Sequence, residues 1–145
     1  MYKKILVALE NTSADHALLE HVGALAVRLG SELLLLHVAD GWAARNFDQL
    51  KLAESEEIKA DRAYLAARVA DVARQGLRAE SMLAMGNPPQ EILRVAAEHD
   101  CDLIALASHG HKALADVVHG STIAKVRHNT MLPLLVVHGG KPAPL

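Results

Sequence analysis

Apolar positions along the chain fall into two rhythms. Five short runs are apolar almost without interruption: Ile5 to Leu9, Glu32 to Val38, Leu77 to Met85, Asp102 to Leu106 and Leu132 to Val137. Runs of this length, rich in leucine and β-branched residues, predict buried strands. The third is the least apolar and is expected near a sheet edge. Elsewhere apolar residues return every three or four positions, the period of a helix with one buried face. The first such stretch carries Leu18, Leu19, Val22, Leu25, Ala26 and Leu29. Thr12 to Asp15 offer its N-cap, and Gly30 ends it. A long second helix is predicted from Leu50 to Arg74, closed by Gly76. Gly86 to Pro89 reads as a turn whose prolines open a third helix, with Ile92, Leu93, Val95 and Ala96 on its apolar face. A fourth helix is predicted from Gly120 to His128. Residues 39–48, which include Trp42 and Phe47, and the terminal GGKPAPL read as irregular.

The order is therefore β-α-β-α-β-α-β-α-β. Continuous apolar strands alternating with helices predict an α/β fold, a parallel sheet covered on both faces. Ligands in such sheets bind beyond the carboxyl ends of the strands, where the strand order reverses. Leu9 to Asn11, Val38 to Asp40 and the segment after the fourth strand should meet there.

Composition narrows this further. A chain of 145 residues with no repeat and no linker is one domain, 1–145. It is 51% hydrophobic but only 3% aromatic, so the core must be built of Ala, Leu, Val and Ile. A net charge of −2 argues against a nucleic-acid surface. No stretch approaches the roughly 20 apolar residues of a membrane span, and the start does not resemble a signal peptide. The single cysteine, Cys101, excludes an internal disulfide and fits a reducing compartment; a cytoplasmic protein is expected.

The segment ASHGHKALADVVHGST, residues 107–122, carries the most chemistry. Gly110 and Gly120 let a backbone approach an anion, because neither has a Cβ. If Gly120, Ser121 and Thr122 open a helix, their amides and hydroxyls can hold a phosphate, and Lys112 can add charge. The same residues also serve as an ordinary N-cap and turn. The segment is neither a Walker loop nor a dinucleotide-binding GxGxxG.

MYKKILVAL at the start, LLLLHV at 33–38, GNPPQEIL at 86–93, CDLIALASHG at 101–110 and GSTIAKVRHNTMLPLLVV at 120–137 together resemble the universal stress protein family over nearly the whole chain. The resemblance implies an adenine nucleotide alpha hydrolase-like sheet of strand order 3-2-1-4-5. It also implies, as in many members, an ATP site, with or without Mg²⁺, marked by G-x-x-G, nine residues, then G-S or G-T. Here that becomes Ala107-x-x-Gly110, residues 111–119, then Gly120 and Ser121. Ala107 replaces the first glycine. In an extended conformation the methyl costs little; in a left-handed one it costs about 1–2 kcal/mol. Glu10 stands where similar members carry aspartate beside the ribose, and Val38 where they carry an apolar contact to the base. Ala8, Leu9 and Leu106 supply backbone and wall, with Thr122 beside the phosphates.

Other chemistries are weaker. His109, His111 and His119 make a zinc site conceivable, without a cysteine pair or HExxH in support. Ser108, His109 and Asp116 can be written as a triad, but no G-x-S-x-G elbow accompanies them. No residue is evidently placed to orient an attacking water, so the expectation is a binding protein, at most a slow ATPase. A response regulator and a flavodoxin-like protein fit poorly, the first for want of its acidic residues and the second of aromatic cover. His37 reads as a satisfied core histidine. The charged run Glu54, Glu56, Glu57, Lys59, Asp61 and Arg62 reads as a solvated helix face. Pro133 places the last strand at an edge, and an apolar edge predicts a homodimer through residues 132–138, which the resemblance also implies. The competing function is a nucleotide-free dimeric scaffold.

Overall fold

The computed structural model describes residues 1–39, 56–109 and 116–140, with side chains from 122 onward in the last segment. Strands β1 (Lys4–Leu9), β2 (Glu32–Ala39), β3 (Ala79–Met85), β4 (Leu103–Ser108) and β5 (Leu134–His138) alternate with helices α1 (Ala14–Leu29), α2 (Glu56–Ala73), α3 (Pro88–Glu98) and α4 (Asp116–His128). The strands form one sheet in the order β3-β2-β1-β4-β5, every neighbouring pair parallel. Both the alternation and the strand order agree with the sequence reading.

Because successive strand side chains point to opposite faces, the central strands feed two cores. Ile5, Val7, Leu9, Leu33, Leu35, Leu103 and Ala105 pack with Leu18 and Val22 of α1 and Leu65 of α2. Leu6, Ala8, Leu34, Leu36, Ile104 and Leu106 pack with Ile92 and Val95 of α3 and Val126 of α4. This two-sided burial is why these strands are apolar without alternation. β3 and β5 pair on one side only, and their exposed positions follow from that.

Local chemistry sets the element ends. Gly30 is left-handed at φ 70°, and its amide donates back to the Ala26 carbonyl, which closes α1. Asn87 caps α3 by accepting from the Gln90 amide at 3.3 Å, and Pro88 starts the helix. Asp102 accepts from the amides of Lys3 at 2.8 Å and Lys4 at 3.2 Å, tying the start of β4 to the start of β1.

Several boundaries differ from expectation, and three of the differences have a local cause or bear on the site. β3 begins at Ala79 rather than Leu77, whose amide is spent on the Val72 carbonyl closing α2. β5 begins at Leu134 rather than Leu132, since Pro133 has no amide to give the ladder and contributes its carbonyl to the Ile104 amide. The last helix begins at Asp116 rather than Gly120. An acidic residue suits a helix start, and one interior glycine costs only about 1 kcal/mol. The expected start of α2 at Leu50, the residues Trp42 and Phe47, and the end of the tail lie outside the described residues.

Cys101 is buried just before β4. Burial pushes its thiol up to about 11, against a smaller opposing pull from Lys4. A chromogenic disulfide reagent at neutral pH is expected to modify native Cys101 about a hundredfold more slowly than the denatured chain; equal rates would contradict the burial. Leu34→Ala, at a fully buried central-strand position, is expected to lower stability by about 2–5 kcal/mol in urea unfolding.

Candidate functional site

The site begins with the turn after β1. Asp15, in the first turn of α1, is buried. Its Oδ1 accepts the Glu10 amide at 2.9 Å and its Oδ2 the Asn11 amide at 2.8 Å. Tyr64 of α2 donates its hydroxyl to the same Oδ2. Burial, and then this hydrogen bond, push the Tyr64 hydroxyl above the ordinary tyrosine range. The Arg68 guanidinium lies over the Tyr64 ring, 5.0 Å from its centroid. Asn11 takes φ 61°, a left-handed conformation that asparagine tolerates better than most residues.

This turn delivers two side chains to the carboxyl end of the sheet. The Asn11 side-chain amide donates to Asp61 Oδ1 at 3.0 Å. Glu10 Oε2 pairs with His109 Nε2 and accepts from the Thr12 hydroxyl at 3.3 Å. The pair joins the end of β1 to the end of β4. His37, near the end of β2, contacts the Leu9 carbonyl through Nδ1 at 2.9 Å. A carbonyl only accepts, so Nδ1 is the donor in this contact. Nε2 then faces Asp61 Oδ1 at 3.4 Å.

Between these groups lies a cavity of about 500 Å³. Seven residues expected at a ligand site line it: Ala8, Leu9 and Glu10 at the end of β1, Val38 on β2, Leu106 and Ala107 on β4, and Thr122 on α4. Ala107 pairs with Val137 inside β4 and is not among the left-handed residues, so its methyl carries no backbone strain. Gly110 lies outside the described residues, as do His111 and Lys112. Gly120 and Ser121 belong to α4, and their surroundings are not described.

The expectation that Gly120, Ser121 and Thr122 open the last helix is corrected. The unbonded amides of a helix belong to its first four residues, here 116–119. Residues 120–122 follow them inside the helix. Asp61 requires a second correction: it is 6% exposed, not part of a solvated face. Ile58 and Leu65 stand three positions before it and four after, and both are buried. That spacing puts Asp61 on the inner stripe, a signal its charge concealed. His37 is satisfied, as expected of a core histidine, but it also lines the cavity. The sequence put Asn11 at a strand end and Asp15 among the N-cap candidates, but the roles of these two and of Tyr64 depend on contacts between β1, α1 and α2. Among the described residues, no group of three or more histidine, cysteine or acidic side chains could hold a metal ion. Likewise, no helix of the described residues is long and apolar enough to cross a membrane.

A profile of the universal stress protein family matches residues 1–138. The chain is 27% identical to universal stress protein MJ0577 of Methanocaldococcus jannaschii, over 94% of this chain and 95% of that protein. A solved structure of MJ0577, presented as a structure-based assignment of biochemical function, superposes with a TM-score of 0.83 at 25% identity, covering 99% of both chains. Two more distant structures share the fold. One is a universal stress protein from Archaeoglobus fulgidus in complex with dAMP, at TM-score 0.70 and 19% identity over 94% of this chain and 98% of that one. The other is a universal stress protein in complex with cAMP, at TM-score 0.70 and 18% identity over 96% and 98%.

The Asp15 network has its own test. A raised Tyr64 value stabilises the fold fully below the ordinary tyrosine range, and that contribution is lost as pH rises through the folded-state value. Spectrophotometric titration of the native protein is therefore expected to show one tyrosine ionising late. In Asp15→Asn its midpoint should fall back toward the ordinary value. An unchanged midpoint would show that the carboxylate does not hold the hydroxyl.

Proposed function

Because the chain belongs to the universal stress protein family, we propose that its crevice holds an adenine nucleotide, ATP with or without Mg²⁺, as a sensing or regulatory ligand. One observation carries the reading. The cavity lies at the carboxyl ends of β1, β2 and β4, where such sheets bind ligands, and is lined there by Ala8, Leu9, Glu10, Val38, Leu106, Ala107 and Thr122. Its volume falls within the range of small-molecule pockets, about 300–1,000 Å³. The dAMP and cAMP complexes of structural neighbours lend support. In this reading Val38 lies beside the base and Glu10 on the ribose side, while Ala8, Leu9, Leu106 and Ala107 form the wall. Gly110, Gly120, Ser121 and Thr122 hold the phosphates, together with the free amides at the start of α4.

Isothermal titration of the purified protein with Mg-ATP is expected to give saturable binding. Val38→Trp, which puts a ring into the cavity, should weaken it by more than about tenfold. Absence of heat from the wild-type protein, with no adenine released on denaturation, would leave the scaffold reading instead.

Assembly through β5 is a companion proposal. β5 is an edge strand, with Val136 45% exposed and Met131 fully so. Antiparallel pairing of two such edges closes a two-fold dimer and covers unpaired backbone groups. Sedimentation should report a dimer, and Val136→Asp should shift it to monomer at micromolar concentration.

A further inference from the structure

We propose that the groove between α1 and α2 is a second ligand site, which takes a small organic monocarboxylate with an aliphatic body and is wired to the turn after β1. The groove measures about 830 Å³ and lies on the sheet face that α1 and α2 cover. Leu19 and Ala24 of α1 and Val72 of α2 supply its apolar lining. Gln75, just past α2, reaches across to α1, with its Oε1 2.9 Å from the place a Cβ on Gly23 would take. It bridges the two helices there and bounds the groove.

Arg68 is the receptor for the carboxylate. Its guanidinium lies over the Tyr64 ring, 5.0 Å from the centroid, and its side chain is 33% exposed. Stacking on an aromatic ring holds ready the planar fork that meets a carboxylate with two parallel hydrogen bonds. Nε is buried and lies 3.0 Å from Asp71 Oδ2, but out of hydrogen-bond alignment. A buried donor left in that state gains when an anion accepts from it. Asp71 does not depend on Arg68 alone, because Arg74 Nη1 donates to its Oδ1 at 2.6 Å. Arg68 can therefore engage a ligand while Asp71 keeps a partner. Charge then sets the class. Glu20 and Asp71 also line the groove, so a single negative charge is matched by Arg68 and a second would meet two carboxylates.

The wiring runs through Tyr64. Its hydroxyl donates to Asp15, which holds the amides of Glu10 and Asn11. Asn11 lines this groove and the crevice alike. A carboxylate drawn to Arg68 thus acts on the network that sets the rim of the crevice.

The test is an NMR titration of the full chain with hexanoate, and with hexanamide, which keeps the shape and loses the charge. Hexanoate is expected to saturate the protein, with Overhauser contacts from its chain to the Leu19 and Ala24 methyls and movement of the Glu10 and Asn11 amide resonances. Hexanamide is expected to bind about tenfold or more weakly, and Arg68→Gln to weaken hexanoate by as much. Equal affinity for acid and amide, contacts to other methyls in place of these, or no saturation overturns the site. An Arg68→Gln protein that binds hexanoate like wild type does the same; should that variant fail to fold, the acid-to-amide ratio of the wild-type protein decides. Saturation that leaves the Glu10 and Asn11 resonances unmoved overturns the wiring. None of these outcomes depends on a nucleotide in the crevice.

Discussion

A buried carboxylate organises the functional end of this molecule. Asp15 accepts the amides of Glu10 and Asn11 and the hydroxyl of Tyr64, so one side chain joins the turn after β1 to two helices. Removing a charge from water is costly unless hydrogen bonds replace the lost hydration. Here they come from backbone groups that the turn would otherwise leave unpaired. The turn is thus held in the one conformation that aims Glu10 toward β4 and Asn11 toward α2, and the left-handed Asn11 follows from it.

The sheet supplies the opening into which these side chains project. β1 and β4 are neighbours, yet α1 packs on one face of the sheet and α4 on the other. The chain therefore leaves the two strand ends in opposite directions, and a gap remains between them. Continuous burial of β1, β2 and β4 is the condition for this arrangement, because helices can cover both faces only if both faces are apolar. The cavity is a consequence of topology, and its chemistry is then chosen by the residues at its rim.

That chemistry is uneven. Among the described residues lining the cavity, Glu10, Glu57 and Asp61 are acidic and His37 is the only basic group. Such a lining suits the amino group of a base and the hydroxyls of a sugar. It does not by itself attract phosphate. Under the nucleotide reading proposed above, the phosphate chain needs a favourable potential from elsewhere; Lys112 and the start of α4 follow β4 in sequence.

Much of this was legible in the residue order. Unbroken apolar runs separated by helical periods imply a two-sided parallel sheet, and glycine, asparagine and proline marked where elements stop, because these effects act within a few residues. Seven of the cavity-lining residues are also named by the resemblance to the universal stress protein family, and of these Leu9, Glu10 and Val38 follow from the strand ends alone. What only the tertiary structure decided was which polar groups meet. Asp61 lies in a charged run that looks solvated, and is buried because α2 turns that side toward His37 and Asn11. Asp15 and Tyr64 are 49 residues apart and meet through helix packing. The start of α4 was misread because glycine followed by hydroxyl residues fits a helix beginning as well as a helix interior. Local chemistry along the chain thus sets the elements and where they end; the partners of buried polar groups are set by distances that exist only once the chain has folded.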